Sequence, residues 1–211
     1  MKFFCMDNVF FRTISKIVDL FWLNLLTLIC CLPVITAGTA LTAMYQVLFR
    51  IKSNQEGYIT RDFFHAFRQN FKKTTFVWSA VLLILLFYWI DLSVLRSYMT
   101  DTYQTLGTVI KIGISIIMMV LFMGLSYFFP LSARYENKTR TTVKNAYLFA
   151  CAYFPQTLCM MLIYIFPFAL MMLSNYFILF WFLFGLSFPG YCCCSLLTGI
   201  FGRTEERLLQ E

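Results

Sequence analysis

The chain opens with an apolar run, residues 17–49, that is too long for one ordinary membrane helix and is interrupted near its middle. A bilayer hydrocarbon core about 30 Å thick needs about 20 helical residues. Pro33 removes a backbone N–H and disfavours helical geometry at the residue before it. Gly38 and its small neighbours permit close approach of another backbone. The interruption therefore predicts a helical hairpin with arms at 17–32 and 36–50.

Both arms of this first hairpin are short for a membrane crossing. At a rise of 1.5 Å per residue, an arm of this length reaches only about 23 Å. The hairpin either crosses a thinned bilayer or enters and returns without crossing. In both cases its two ends lie on the same side of the membrane.

Composition places the whole chain in a lipid environment. Of its 211 residues, 60% are hydrophobic and 13% are charged, whereas soluble domains carry about 25% charged residues. The net charge of +7 comes from short segments between apolar runs, a pattern typical of cytoplasmic loops and not of a nucleic-acid groove. We expect the lipid bilayer as a partner, and no nucleic acid.

The distribution of basic residues predicts the topology. Four further apolar runs follow the first hairpin, at about 74–97, 106–131, 147–172 and 176–201. Fifteen of the seventeen Lys and Arg residues lie in four segments outside these runs: 1–16, 50–73, 133–146 and 202–211. If the first hairpin counts as two helices, all four segments lie on the same side of the membrane. Basic loops stay in the cytoplasm. The sequence thus predicts one all-α polytopic membrane domain over residues 1–211, with about six helices in three hairpins and both termini cytoplasmic.

A basic, aromatic segment near 60–73 links the first hairpin to the next span. Its Phe residues recur at helical spacing, and basic residues occupy the other face, which predicts an amphipathic helix at the membrane surface. The alternative, compatible with this one, is a helix packed on the protein's own cytoplasmic face. The candidate contacts to lipid headgroups are Arg61, Arg68, Lys72 and Lys73.

Small and polar residues around the first break are candidates for helix packing or for function. Small residues four apart, such as Thr39 and Ala43, mark a face where helices approach closely. Broken helices also form binding sites in transporters, and residues 185–190 hold a second break with Pro and Gly. The candidate residues at the first break are Asn24, Pro33, Thr36, Gly38, Thr39 and Ala43.

Other polar groups in the apolar runs give weaker indications. Asp91 and Lys111 lie near the same external link and are predicted to form an ion pair or to extend separately to the membrane interface, with a gate or ion relay as the alternative. The eight cysteines lie mostly in apolar runs without a C-x-x-C pair, and His65 is the single histidine, so we expect packing cysteines and no metal site. Enzyme motifs are missing, and we expect neither catalytic residues nor cofactors.

Three blocks of the chain resemble the YesL family of bacterial integral membrane proteins. The first holds Asn24, the stretch 32–40 and Ala43-Met44-Tyr45; the others lie within 63–78 and 133–146. The family is a domain of unknown function. The resemblance implies a multi-pass bacterial plasma-membrane protein, often encoded beside sugar-uptake ABC transporters and carbohydrate-responsive regulators, and it supplies no catalytic residues.

The leading functional expectation is a non-enzymatic accessory or regulatory partner of carbohydrate uptake. Its partner would be a sugar ABC transporter permease or another membrane protein. One alternative is a small transporter or channel with its site at the broken helices. The other is a membrane-surface sensor that acts through the segment 60–73.

Overall fold

The structure is a computed structural model that describes residues 9–53, 55, 57–98, 104–173 and 176–208. All regular structure in these ranges is helical, as the sequence predicts. A short 3-10 helix, Val34–Thr36, separates the first two α-helices. The α-helices are α1 (Val9–Cys31), α2 (Ala37–Lys52), α3 (Ile59–Tyr98), α4 (Gln104–Arg134), α5 (Thr139–Ala152), α6 (Phe154–Leu173), α7 (Tyr176–Phe184) and α8 (Ser187–Leu208).

The helices confirm an all-α polytopic membrane protein. Within the described residues, five helices are long and apolar enough to cross a membrane, and they fall in α1, α2, α3, α4 and α6. The sixth predicted segment, 176–201, is instead divided between α7 and α8. The predicted turns at 98–105 and 173–175 lie largely outside the described residues.

The segment 60–73 is helical, but the expectation of a separate amphipathic helix is wrong. It continues without interruption into the span 74–97 as the single helix α3 of 40 residues. The physical reason is the lack of a helix-breaking Gly or Pro anywhere between Ile59 and Tyr98. On its aromatic face Phe63 is fully buried, whereas Phe64 and Phe71 are exposed, so this part of α3 packs on the protein itself.

The predicted fourth run, 147–172, is also divided. Helix α5 begins earlier, in the polar segment, and ends at Ala152, and α6 starts at Phe154. Pro155 has no N–H to donate to the carbonyl of Cys151, and its ring would clash with that carbonyl, so the hydrogen bonds of α5 do not continue past Tyr153. By contrast Pro130 and Pro167 lie inside α4 and α6.

Helix α2 is the centre of the molecule. Nine of its sixteen residues are buried, and it packs against α1, α3, α4 and α8. Small residues make this possible, because Gly38, Thr39, Ala40, Thr42 and Ala43 occupy its first half and small side chains let helix backbones approach.

Helix α2 runs antiparallel along the first half of α3. The hairpin turn lies beside Trp78, whose indole N–H donates to the carbonyl of Val34 over 2.7 Å, and at the other end Arg50 pairs with Asp62. The second half of α3 therefore extends past the tip of the first hairpin.

We call residues 79–98 of α3 and 104–122 of α4 the distal arm. In its described side chains Val81 and Met118 are buried, while most others are apolar and exposed.

Candidate functional site

The first helix break is closed by hydrogen bonds that its own sequence provides. Pro33 precedes the 3-10 turn in an extended conformation. The Thr36 hydroxyl donates to the carbonyls of Cys30 and Pro33, each over 2.8 Å. The bond to Cys30 satisfies a carbonyl that the end of α1 leaves open, while the bond to Pro33 and that from the Trp78 indole to Val34 hold the turn itself. Pro33 and Thr36 thus shape the turn, and their described contacts lie within the protein.

Asn24 connects the first hairpin to the second helix break. Its side-chain amide nitrogen donates to the carbonyl of Phe182 over 2.7 Å. Its amide oxygen accepts from the backbone N–H groups of Leu186 and Ser187, over 2.9 and 3.1 Å. Asn24 is fully buried. One side chain of α1 therefore satisfies both the end of α7 and the start of α8.

Two further polar atoms beside the second break have no hydrogen-bond partner among the residues that the structure describes. They are the hydroxyl oxygen of Ser187 and the indole nitrogen of Trp181, both shielded from solvent. Trp181 folds back over Gly185, where a Cβ would lie 2.7 Å from the indole ring. The break thus needs glycine for space, and it keeps donors that the fold does not use.

The predicted small-residue face of α2 forms the contact with α3. A Cβ on Gly38 would lie 2.6 Å from the Cβ of Trp78, closer than real Cβ contacts. The Thr39 hydroxyl contacts the hydroxyls of Thr74 and Thr75 at 2.9 and 2.8 Å. Ala43, one turn further along α2, is fully buried. Gly38, Thr39 and Ala43 are therefore packing residues in this structure.

An apolar cleft of about 540 Å³ opens between the helices beside this contact. Its volume lies within the range of about 300–1,000 Å³ of ordinary ligand pockets. Aromatic, Met and aliphatic side chains form nearly all of its wall. The lining residues are Leu41, Tyr45, Trp78, Met119, Phe122, Leu125, Ser126, Phe129, Met161, Tyr164, Ile165 and Leu186.

The cleft has a small polar floor. The hydroxyls of Tyr45 and Tyr164 lie 2.6 Å apart and share one hydrogen bond. A pair of hydroxyls holds two protons, and the sulfur of Cys193 is a further hydrogen-bond partner beside Tyr45. The hydroxyl of Ser126 is already donated to the carbonyl of Phe122. The cleft therefore offers one or two polar contacts to an occupant that is otherwise apolar.

The charged candidates within the spans do not meet in the way the sequence predicts. Between described side chains, the ion pair within 4.0 Å is that of Arg50 with Asp62, at 2.8 Å. Asp91 lies exposed on α3 and Lys111 half-buried on α4, and the predicted pair between them is not found among the described residues. No group of three His, Cys, Asp or Glu side chains in the described ranges could hold a metal ion.

The four candidate headgroup contacts separate into two sets. Arg61 and Arg68 line one depression of about 800 Å³ on the first half of α3, together with Phe64, His65 and Gln69. Lys72 is exposed and Lys73 half-buried, and neither lines that depression. The structure therefore brings together only the two arginines.

Tyr164 of the cleft could not be singled out from sequence, whereas Trp78 belongs to the second block of the family resemblance but its contact could not be predicted. Tyr164 lies in an apolar run with nothing in its spacing to mark it, and its partner Tyr45 is 119 residues away. Trp78 had a possible signal, because a Trp near the start of a span is a common interfacial anchor. Its contact with the hairpin turn depends on the antiparallel register of α2 and α3, which no local pattern states.

Residues 20–92 match the family described as "Protein of unknown function, DUF624". The matched region begins in α1 and ends in α3, and it includes Asn24, the first break and the α2–α3 contact. No curated protein and no solved structure gives a significant match to the chain. The comparison is therefore in accord with a membrane domain of unknown function and assigns no chemistry to the cleft.

Proposed function

We propose that the protein is a non-enzymatic accessory membrane protein that binds another integral membrane protein laterally. The observation that carries this proposal is the apolar cleft at the base of the distal arm. Its wall contains Trp78, Phe122 and Phe129 together with Met119 and Met161. Aromatic and Met side chains are enriched at the centres of protein interfaces, and Met adapts to irregular partners.

The distal arm extends this surface beyond the cleft. Phe87 and Trp89 on α3 and Ile117 on α4 are more than half exposed, so nothing within the described chain covers them. Large contiguous apolar surfaces mark sites of contact with protein or membrane. A transmembrane helix of a partner could lie along the arm and insert side chains into the cleft.

The identity of the partner comes from the resemblance to the YesL family. That resemblance favours a bacterial plasma-membrane protein and, as partner, the permease of a sugar ABC transporter. The distribution of basic residues favours cytoplasmic termini. The partner would be regulated or stabilised by contact, since the cleft provides hydroxyls but no paired acid, base or nucleophile for a reaction.

The transporter alternative requires a polar cavity between the two helix breaks. The cleft reaches both regions, through Trp78 beside the first break and Leu186 at the second, but its wall is nearly all apolar. A path of this kind offers a sugar or an ion few hydrogen-bonding groups. The cleft therefore favours the accessory role over transport.

Site-specific photo-crosslinking in native membranes tests the proposal. A photoreactive phenylalanine analogue at Phe122, at the mouth of the cleft, should form a covalent adduct with a permease subunit encoded nearby. The control is the same analogue at Leu148, an exposed apolar position on α5. Adducts with lipid alone, or equal protein adducts at both positions, would contradict a specific interface.

A further inference from the structure

Three side chains able to carry positive charge lie on one face at the start of α3. Arg61, His65 and Arg68 are spaced four and three residues apart, which places them on one side of a helix. All three are exposed and line the depression of about 800 Å³. This surface is separate from the apolar cleft and is not needed for the proposed function.

The acidic groups around this face do not neutralise the arginines. Asp62 is held on another side of α3 by Arg50, at 2.8 Å. Glu136 accepts a hydrogen bond from Gln69 at the rim of the depression. Asp19 lines the neighbouring depression together with Arg61, but the two side chains form no ion pair within 4.0 Å. Within the described side chains, neither Arg61 nor Arg68 belongs to an ion pair within 4.0 Å.

Aromatic side chains border the same arginines. A second depression of about 560 Å³ shares Arg61 and Phe64 with the first and adds Trp22 and Tyr58. The Trp22 indole donates to the Thr60 hydroxyl over 2.9 Å, which fixes α1 beside the start of α3. Phe64 is 44% exposed and lies between the two arginines in sequence. Exposed aromatic rings beside cations are typical of the level of lipid headgroups.

We propose that this surface binds the phosphate headgroup of an anionic phospholipid. Arg61 and Arg68 contact the phosphate oxygens, because guanidinium groups donate paired hydrogen bonds to phosphate. Phe64 and Trp22 contact the first carbons of the acyl chains. A free phosphate would use the arginines but leave the exposed rings without a role, and therefore the lipid is the favoured source of the phosphate.

The test compares lipid retention by two variants that lose the same charge. The protein is placed in nanodiscs of phosphatidylglycerol and phosphatidylcholine, and the lipids that remain bound are counted by native mass spectrometry. Arg61→Gln with Arg68→Gln should weaken phosphatidylglycerol binding about thirty-fold, since each cation near an anionic surface contributes about a factor of five. The control combines Lys138→Gln with Arg140→Gln, both exposed, and should change it little.

Two further arms identify the ligand. Phe64→Ala should lower phosphatidylglycerol retention while both arginines remain, which a site for free phosphate would not show. Added glycerol phosphate at millimolar concentration should not displace the lipid. Equal losses in the two double variants, or displacement by glycerol phosphate, would overturn the proposal. Because the substituted side chains are exposed, an unchanged elution profile on size exclusion verifies that each variant folds.

Discussion

Replacing Asn24 by Ala should destabilise the second helix break, although Asn24 is more than 150 residues away from it in the sequence. The substitution removes the donor to Phe182 and the acceptor of two backbone N–H groups. Hydrogen bonds between membrane helices contribute about 0.6 kcal/mol on average, while a buried donor left without an acceptor costs about 1–3 kcal/mol. Three bonds lost together therefore predict a destabilisation of about 2–4 kcal/mol.

The effect should be concentrated at the start of α8. Amide hydrogen exchange of a peptide covering residues 182–190 reports the opening of Leu186 and Ser187 directly. A loss of about 2 kcal/mol corresponds to exchange about thirty-fold faster. Global stability is measured in parallel by unfolding in mixed micelles, where the same loss should lower the free energy of unfolding.

Thr27→Val provides the matched control on the same helix. Thr27 is also fully buried, but its hydroxyl donates within α1, to the carbonyl of Leu23 over 2.7 Å. Removing that hydroxyl leaves the contact between α1 and the break intact, so exchange at 182–190 should stay unchanged. If Asn24→Ala accelerates exchange there no more than Thr27→Val, the amide does not hold the break.

Two other substitutions test the packing and the charge pair of α2. Gly38→Ala should lower the free energy of unfolding by about 1–3 kcal/mol, because the added Cβ would clash with Trp78. A Cβ added at Gly199 has no atom within 4 Å, so Gly199→Ala should be neutral or slightly stabilising. Equal effects of the two substitutions in thermal unfolding would refute the close approach of α2 and α3. Arg50→Gln removes the ion pair with Asp62, which is partly exposed. It should lower the free energy of unfolding by less than about 1 kcal/mol at low salt and by no measurable amount at about 1 M salt. A loss of stability that does not depend on salt would contradict this.

The sequence predicted the break at Pro33 correctly because its signal is local. Proline restricts its own backbone and that of the residue before it, and no distant partner is needed. The break at Gly185 was visible for the same reason. What could not be predicted is that Asn24 bridges the two, since an isolated Asn in an apolar run indicates only that some partner exists.

The wrong prediction that the helix over 60–73 is separate from the span 74–97 has a different origin. The basic and apolar parts of α3 differ in composition, and composition predicts which part lies in lipid. It does not predict where a helix ends, because Lys-Lys-Thr-Thr at 72–75 neither caps nor breaks a helix. A helix boundary needs a backbone signal, as Pro155 provides between α5 and α6.

The alignment of α2 along α3 predicts how deeply the first hairpin enters the membrane. Its turn lies beside Trp78, and the 20 residues from there to Tyr98 extend about 30 Å further, which is the thickness of a bilayer core. In the other direction, Arg68, which we propose lies at the level of the cytoplasmic headgroups, is only 10 residues or about 15 Å from Trp78. The turn is therefore predicted to lie inside the core, α3 reaches the far side beyond it, and the hairpin is re-entrant.

Cysteine labelling distinguishes a re-entrant hairpin from one that crosses. Leu32 at the turn is 78% exposed, so a Leu32→Cys thiol is sterically accessible to any reagent that reaches its depth. A membrane-impermeant maleimide added from outside should label Thr105→Cys, next to the predicted external link, and leave Leu32→Cys unlabelled beyond the parent protein. Equal external labelling at both positions would mean that the hairpin crosses fully. In that case all 40 residues of α3, a length of about 60 Å, would have to fit within a core about 30 Å thick. This needs α3 to tilt by about 60° from the membrane normal, more than the range of about 0–40° that membrane helices adopt.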